Sequence, residues 1–383
     1  MRTFSSISTV LTLPLAALLL AGCQPLQPAQ DANSGGLLLA LTASESTTAT
    51  STETSSEGSP GYPFSYTIGT PPTIGNPPVS VLEPDVNAEF AGDIAYGADG
   101  LNTFDLFMPE SDEPTPVVIY IHGGGFRGLD KTRPYQLGFT RPDISKLLRN
   151  GIAFITIDYR LLEDNDPAGV RKCLHDSRYA LQFIRYYAAE MNIDPTKIAL
   201  WGSSAGAGTS LWLALNDDMA DPDHPDSIRR QSTRVLGVSA SIPQTTYDFN
   251  RWESEVLIDY GWTMTGAFAD DPGLEPRMLD FYAIDSLTEY NTQTVADYRS
   301  EVDMLAMVTS DDPELWLKST NYPLAKPIND DELLHHPHFV RELVEKTDAA
   351  GVATIYKWGY QTVIHKSANQ ESSSDYLIRK LTE

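Results

Sequence analysis

The chain has 383 residues and an acidic composition, with 52 Asp and Glu residues against 27 Lys and Arg residues and a formal net charge of −25. Phosphate backbones and anionic lipid surfaces repel such a chain, which excludes nucleic acid and electrostatic adhesion to membranes as its main interactions. The length is sufficient for one large domain or two small ones.

The N-terminus has the features of a secretory signal. An apolar run over residues 10–20 is too short to span a bilayer, and small residues follow it. The letters LAGC that end at Cys23 resemble a bacterial lipobox, which implies removal of residues 1–22 and lipidation of Cys23. An ordinary signal peptide with a chance cysteine is the alternative. Gln24, by analogy with enteric lipoproteins, indicates a lipoprotein of the bacterial cell envelope, at the outer membrane.

Residues 23–75 separate this signal from the body of the protein. They are rich in Ser, Thr and Pro, and such a segment cannot bury enough apolar surface to offset the entropy of ordering it. We therefore predict a disordered tether here and a single domain over residues 76–383. The second of the two cysteines, Cys173, has no disulfide partner within the chain if Cys23 carries lipid.

Strands and helices alternate along the body. Continuous apolar runs predict buried strands, and apolar residues at helical spacing predict helices. The predicted strands are 103–109, 116–122, 151–161, 197–202, 234–241, 314–319 and 352–358, and the predicted helices are 173–191, 205–215, 339–351 and a short one at the C-terminus. This alternation predicts an α/β fold with a mostly parallel sheet and helices on both faces.

Ser204 lies within the letters GSSAG, at the junction of the strand 197–202 and the helix 205–215. Small residues on either side allow a tight turn that would raise the serine oxygen above the sheet, and the helix N-terminus would stabilise negative charge. A phosphate-binding loop is the competing interpretation, but the stretch lacks the Lys-Ser/Thr ending of such loops. The junction therefore predicts a nucleophile.

A glycine-rich stretch, HGGGF, begins at His122 after the strand 116–122. Three consecutive glycines let backbone amides approach a substrate oxygen with no side chain in the way. In acyl transfer, each such donor contributes about 3 kcal/mol to stabilising the oxyanion. We assign the amides of Gly124, Gly125 and Ala205 to an oxyanion hole, and we expect His122 to brace the loop.

The two motifs, with DYR between them and Asp194-Pro195 before the second, resemble the α/β-hydrolases of the hormone-sensitive-lipase and carboxylesterase type. The similarity covers residues 100–240 and continues more loosely to the end. It implies the α/β-hydrolase fold, with residues 244–305 as a cap-like insertion over the site. It also implies a serine hydrolase that cleaves carboxylic esters and needs neither a cofactor nor a metal.

The resemblance further implies the order serine, acid, histidine along the chain. His365 is the only histidine after the last predicted strand, and we expect it to be the catalytic base. The acid should follow the preceding predicted strand, 314–319, and Asn321 occupies about the position where the family has its aspartate. We assign Asp331 as the acid, with Asp330 as the alternative. If Asn321 occupies the position of the acid, the triad is degenerate and lacks its carboxylate.

The letters HHPH at residues 335–338 suggest a metal site, in which His338 and Glu342 could share an ion. No further ligand cluster is visible, and a structural zinc requires four ligands. We interpret the stretch as a helix start near the mouth of the site.

The expected partners are a small-molecule ester substrate and, through the lipid anchor alone, a membrane. Two alternatives remain open from the sequence: a peptidase on the same fold, and a catalytically degenerate hydrolase that only binds a ligand. The sequence does not define the oligomeric state.

Replacing the lipidation site tests the anchor. We expect Cys23→Ser to move the protein from the membrane to the soluble fraction with unchanged activity per molecule, because a long tether separates residue 23 from the domain. Fractionation of cells followed by immunoblotting for the protein measures its distribution between the two fractions. A variant that still sediments with membranes would contradict the lipobox interpretation.

Overall fold

The strands of the protein form one nine-stranded sheet in the computed structural model, which describes Pro77 and residues 81–138 and 140–383. The predicted signal peptide, Cys23 and the tether 23–75 lie outside the described residues. The strands are β1 (Glu89–Ala95), β2 (Thr103–Met108), β3 (Thr115–Ile121), β4 (Ala153–Ile157), β5 (Ile193–Ser203), β6 (Gly237–Ser241), β7 (Glu314–Ser319), β8 (Thr354–Tyr360) and β9 (Val363–Lys366).

The spatial order of the strands is β1-β2-β4-β3-β5-β6-β7-β8-β9. The strands from β4 to β8 in this order run parallel to one another. The remaining pairs, β1 with β2, β2 with β4 and β8 with β9, are antiparallel. The carboxyl ends of the parallel strands therefore meet at one edge, where α/β sheets bind their ligands.

Helices connect the strands, and none in the described part of the chain is long and apolar enough to cross a membrane. They are α1 (Arg133–Gln136), α2 (Arg141–Arg149), α3 (Val170–Tyr186), α4 (Ala205–Leu215), α5 (Phe249–Arg251), α6 (Met264–Asp270), α7 (Leu274–Tyr282), α8 (Gln293–Glu301), α9 (Met304–Met307), α10 (Asp330–Leu334), α11 (His338–Ala350) and α12 (Ser373–Thr382). Short 3-10 turns at Ala189–Met191 and Ile258–Tyr260 and a π-helical turn at Trp252–Val256 complete the set.

Apolar clusters cover both faces of the sheet, and β3 shows how. Its side chains alternate between the faces, as they must in a strand. Ile119 and Ile121 belong to the cluster that includes residues of α3 and α4, while Val118 and Tyr120 belong to the cluster with residues of α2 and α12. Burial on both sides explains why the sequence of β3 is one continuous apolar run. The predicted fold class, a mostly parallel sheet with helices on both faces, is confirmed.

Residues 244–305 are helical and pack onto the helices that follow β7. Trp252 and Trp262 from this segment form a third apolar cluster with Leu333 of α10 and Phe339 of α11. The Trp252 ring lies 5.1 Å from the Phe339 ring, centroid to centroid. The insertion is thus in direct contact with α10, which carries residues of the site described below.

The chain after β8 differs from the expected loop. A two-residue turn over residues 361–362 returns the chain into β9, which pairs with β8. Gln361, the first residue of the turn, has φ +49, the left-handed value that a tight hairpin requires there. The added strand extends the sheet at its edge and carries His365 away from the centre of the sheet.

Helix α4 approaches the sheet so closely that a glycine is required at its second residue. A Cβ atom on Gly206 would lie 2.0 Å from the carbonyl oxygen of Ile121 at the end of β3. No side-chain rearrangement relieves this overlap, because the obstructing atom belongs to the backbone. The turn between β5 and α4 therefore depends on this contact.

An alanine scan of two glycines tests the contact. We expect Gly206→Ala to lower the free energy of unfolding by about 3 kcal/mol, the upper range for overpacking a rigid site. Gly100→Ala is the matched control, since open space surrounds Gly100, and it should leave stability nearly unchanged. Urea unfolding followed by circular dichroism measures both. Equal midpoints for the two variants would contradict the close approach.

Candidate active site

Ser204 occupies a strained turn between β5 and α4. Its backbone angles are φ +56 and ψ −127, a conformation that non-glycine residues seldom adopt. Its amide donates to the carbonyl oxygen of Ser241 at 3.0 Å, and its carbonyl accepts from the amide of Gly208 at 3.0 Å. The surrounding structure thus holds the turn in the strand–turn–helix geometry that the sequence predicts for Ser204.

A histidine that was not expected to act as the base lies against this serine. The Oγ atom of Ser204 is 2.8 Å from Nε2 of His335, the residue that ends α10. The other ring nitrogen, Nδ1, is 3.0 Å from Oδ1 of Asp331 and 3.0 Å from the carbonyl oxygen of the same residue. Two acceptors at Nδ1 assign the ring proton to that nitrogen, which leaves Nε2 to accept from the serine hydroxyl.

The sequence of α10 explains how acid and base come together. Asp331 and His335 are four residues apart and so lie on one face of a helical turn. Asn329 caps the helix, its side chain accepting from the amide of Glu332 at 2.9 Å. The hydroxyl of Ser319, at the end of β7, donates to the carbonyl of His335 at 3.1 Å and ties the other end of the turn to the sheet.

Burial and charge act in opposite directions on His335. Burial lowers the pKa of the imidazole, and the nearby Asp331 carboxylate partly offsets this by favouring the charged ring. The side chain of His335 is 12% exposed, whereas that of Asp331 is 68% exposed, so the ring is shielded while the carboxylate meets solvent. The resting imidazole is therefore neutral at pH 7, the state needed to accept a proton.

Tyr322 packs against the imidazole of this pair. Its ring stacks on His335 with centroids 5.1 Å apart and planes 30° apart. Burial, together with the carboxylate of Asp331, raises the pKa of Tyr322 to about 12, so the phenol stays protonated. The stacked ring helps to fix the orientation of the imidazole.

The glycine-rich loop after β3 lies beside the serine. A Cβ atom placed on Gly123 would be 3.1 Å from the Cβ of Ser204. Gly124 has φ +99, and a side chain there would meet the carbonyl oxygen of Gly128 at 2.1 Å. Among the described residues, the amides of Gly124, Gly125 and Ala205 have no backbone acceptor and are available to an added oxygen atom. Their role as an oxyanion hole stays a prediction that this geometry permits.

His122 stabilises the start of the glycine-rich loop. The ring is buried, stacks on Tyr159 with centroids 4.3 Å apart, and has Nδ1 2.8 Å from the carbonyl oxygen of Gly123. Burial lowers the pKa of this imidazole. The Tyr159 hydroxyl donates to the carbonyl of His122 at 2.9 Å, so the pair braces the chain that precedes the loop.

The expectation that His365 is the base must be corrected. His365 lies exposed on the edge strand β9, where its ring stacks on Trp358 at 4.0 Å. The edge strand is four strands from β5, which at the usual strand spacing is on the order of 19 Å. The structure places His335 at Ser204 instead. The reason is the hairpin after β8, which keeps the chain at the edge of the sheet.

The structure separates the three candidates for the acid. Asp331 is hydrogen-bonded to His335, as described above, rather than to His365. Asp330 forms an ion pair with Arg277 of α7. Asn321 is exposed and is not among the residues that hydrogen-bond His335. Of the three, Asp331 is the one that hydrogen-bonds an imidazole in contact with Ser204.

The remaining histidines of the HHPH stretch are structural. Burial is the main reason that the pKa of His336 is lowered to about 3 and that of His338 to about 4. Their rings contact the carbonyl oxygens of Ala325 and Val256. Within the described residues, no group of three or more His, Cys, Asp or Glu side chains could hold a metal ion. A sequence signal for His335 does exist: it follows Asp331 by four residues, in a helical turn that Asn329 caps.

A cavity of about 100 Å³ opens beside Ser204, and Gly125 and Ala205 also line it. Most of the other lining residues come from the insertion, and most of these are apolar or aromatic. Among them are Phe249, Trp252, Trp262, Met264, Phe268 and Phe281. The insertion therefore shapes the space in which a substrate group would lie.

Comparisons of the sequence find relatives for the part of the chain around the serine. The family model BD-FAE matches residues 104–256. The non-reducing polyketide synthase atr1 of Stereocaulon alpinum is 37% identical over 29% of this chain and 4% of its own length. The carboxylesterase NlhH of Mycobacterium tuberculosis is 34% identical over 33% of this chain and 38% of its own length. The matches thus span well under half of these relatives, and they end before Asp331 in the case of the family model.

Comparisons of the structure extend over most of the domain. A truncated carbohydrate esterase from gut microbiota is 16% identical, with a TM-score of 0.54 over 81% of this chain and 100% of that one. A bifunctional GH43-CE protein of Bacteroides eggerthii is 18% identical, with a TM-score of 0.52 over 76% of this chain and 38% of that one. The chain has the α/β-hydrolase fold.

Titration of His335 tests the geometry without reference to activity. We expect the His335 pKa, measured by NMR of the ring protons, to lie below the ordinary 6.5 because the ring is buried. Asp331→Asn should lower it further, since the carboxylate that favours the charged ring is lost. Asp330→Asn removes a carboxylate charge one residue away and should leave the His335 pKa unchanged. Equal shifts in the two variants would show that Asp331 does not contact the ring.

Proposed function

We propose that the protein hydrolyses carboxylic esters through an acyl-enzyme on Ser204, with His335 as the base and Asp331 as the carboxylate that orients it. The observation that carries this proposal is the continuous contact from Ser204 Oγ to His335 Nε2 at 2.8 Å and from His335 Nδ1 to Asp331 at 3.0 Å. The relatives named as esterases support the same reaction class.

In the first half of the reaction, the Ser204 hydroxyl gives its proton to Nε2 of His335 as its oxygen bonds to the ester carbonyl carbon. The carbonyl π electrons move to the oxygen, which accepts hydrogen bonds from the amides of Gly124, Gly125 and Ala205. Collapse of this intermediate breaks the bond to the alcohol oxygen, and the imidazolium returns its proton to the leaving alkoxide. An acyl group remains on Ser204.

In the second half, a water molecule takes the place of the alcohol. His335 accepts a proton from the water as the water oxygen adds to the acyl carbon, and the same amides bind the new oxyanion. The bond to Ser204 Oγ then breaks, the serine recovers its proton from His335, and the carboxylic acid leaves. The protonated ring is stabilised in both halves by Asp331, and no cofactor enters either half.

The cavity beside the serine supports a small-molecule ester with an apolar group as substrate. Its walls of Phe, Trp and Met side chains can bury an acyl or alcohol moiety but offer few hydrogen-bonding groups. The exposed backbone of a peptide chain would find few partners there, which favours an ester over a peptide substrate. The proposed anchor at Cys23, which rests on the sequence alone, would hold this activity at a bacterial outer membrane.

Substitution of the two competing histidines tests the proposal. We expect His335→Ala and Ser204→Ala each to lower kcat/KM for p-nitrophenyl acetate on the order of 10⁴-fold, because each removes one member of the hydrogen-bonded unit. His365→Ala is the matched control and should remain within about twofold of the unmodified protein, since its ring only stacks on Trp358.

Labelling with a fluorophosphonate separates an enzyme from a degenerate binding protein. The unmodified protein and His365→Ala should be labelled at Ser204, and His335→Ala should react far more slowly. Loss of labelling in His365→Ala, with retention in His335→Ala, would contradict the assignment of the base. A protein that neither reacts with the probe nor hydrolyses any ester would be a ligand-binding protein.

A further inference from the structure

Five residues form a continuous row across five neighbouring strands, near the carboxyl ends of the parallel strands. In register, Ser203 of β5 pairs with Ser241 of β6, and Ser241 pairs with Lys318 of β7. Lys318 then pairs with Lys357 of β8, which pairs with Lys366 of β9. Residues directly opposite one another in a sheet have their side chains on the same face, so the three lysines stand side by side.

This lysine row has an electrostatic cost that the fold does not offset. Directly opposed residues have Cβ atoms about 5 Å apart, and like charges at that spacing destabilise a sheet. Within the described residues no carboxylate lies in ion-pair contact with any of the three. Five of the other seven lysines form ion pairs with acidic residues: Lys131, Lys146, Lys172, Lys346 and Lys380.

The row lines a cavity of about 590 Å³ that is distinct from the one beside Ser204. All five members of the row contribute to its wall. The two carboxylates that also line it already have partners. The Ser374 hydroxyl donates to Asp143 at 2.6 Å, and Arg379 pairs with Glu371 at 2.6 Å. The three lysines outnumber the two carboxylates, so the cavity wall carries a net positive charge.

Protection of the sheet edge does not account for the row. Lysine on an edge strand discourages pairing with another sheet, and Lys366 on β9 fits that purpose. Lys318 and Lys357 lie on β7 and β8, which have neighbours on both sides. Two of the three lysines thus need another explanation, and a bound anion supplies one.

The rest of the cavity wall indicates what kind of anion fits. The exposed side chains of Gln370 and Ser372 bring an amide and a hydroxyl group to it, and the partly exposed ring of Trp316 from β7 brings an aromatic face. Hydroxyl and amide groups suit the hydroxyls of a sugar, and an aromatic face suits the apolar side of a sugar ring. The three ammonium groups suit carboxylates that recur at about the spacing of the strands.

The net charge of the chain limits the length of such a ligand. At −25 the protein repels a long polyanion, whereas the lysines attract over about 8 Å, the screening length at physiological salt. We propose that this cavity binds a short acidic oligosaccharide, two or three uronic acid units long, through Lys318, Lys357 and Lys366. This site is independent of the proposed ester hydrolysis, although Ser203 immediately precedes Ser204 in the chain.

Calorimetric titration of the full chain with trigalacturonate tests the proposal. We expect binding that weakens as salt rises, and no binding of the neutral trisaccharide maltotriose. Lys318→Gln, Lys357→Gln and Lys366→Gln should each weaken binding about fivefold, and the triple variant about 50-fold or more, as expected for loss of charge-assisted contacts. Lys197→Gln, six residues before Ser203 on β5 and not among the residues that line the cavity, is the matched control and should bind as the unmodified protein does.

Stability and activity measurements show that the variants remain folded. The triple variant should be at least as stable to urea as the unmodified protein, because it removes like-charge repulsion. Its hydrolysis of p-nitrophenyl acetate should be unchanged, which separates this proposal from the proposed reaction. Absence of trigalacturonate binding, or equal binding by the triple and Lys197→Gln variants, would overturn the proposal. Tighter lysine-dependent binding of tripolyphosphate would overturn the oligosaccharide as the ligand in favour of a phosphorylated one.

Discussion

The hydrogen bond from Ser204 Oγ to His335 Nε2 joins two elements that lie far apart in the chain, the turn after β5 and the end of α10. The serine is held by a backbone conformation that requires close packing of α4 at Gly206. The histidine is held by Asp331, one helical turn before it. A serine hydroxyl is a poor nucleophile without an adjacent base, so the proposed chemistry depends on this single contact being made.

The position of that contact is controlled by a helix of only five residues. An isolated turn of this length is unstable in water, and α10 persists because its surroundings hold it. Its cap Asn329 satisfies a free amide, and Leu333 packs against the tryptophans of the insertion. The insertion therefore does more than line the cavity beside Ser204, because the same packing fixes the helical turn that carries Asp331 and His335. Arg277, which pairs with Asp330, adds a second link between the insertion and α10.

Features encoded in short stretches of sequence were predictable, and those set by docking between distant segments were not. The sheet and the turn at Ser204 followed from apolar runs and from small residues at fixed positions. Asp331 was expected near the site from its place after β7, and the structure places it beside His335 rather than His365. The choice of His365 rested on chain order alone, and a two-residue hairpin after β8 is enough to direct that residue to the edge of the sheet. The four-residue spacing of Asp331 and His335 is a local signal that the two side chains meet, but which histidine reaches the serine depends on where α10 packs against distant segments.

A crystal structure of the protein after reaction with a phosphonate ester tests the central claim most directly. We expect phosphorus bonded to Ser204 Oγ, with Nε2 of His335 as the nearest imidazole nitrogen and Nδ1 still on Asp331. The phosphoryl oxygen should face the amides of Gly124 and Ala205. An adduct whose nearest imidazole is that of His365, or a covalent bond to any residue other than Ser204, would contradict the assignment.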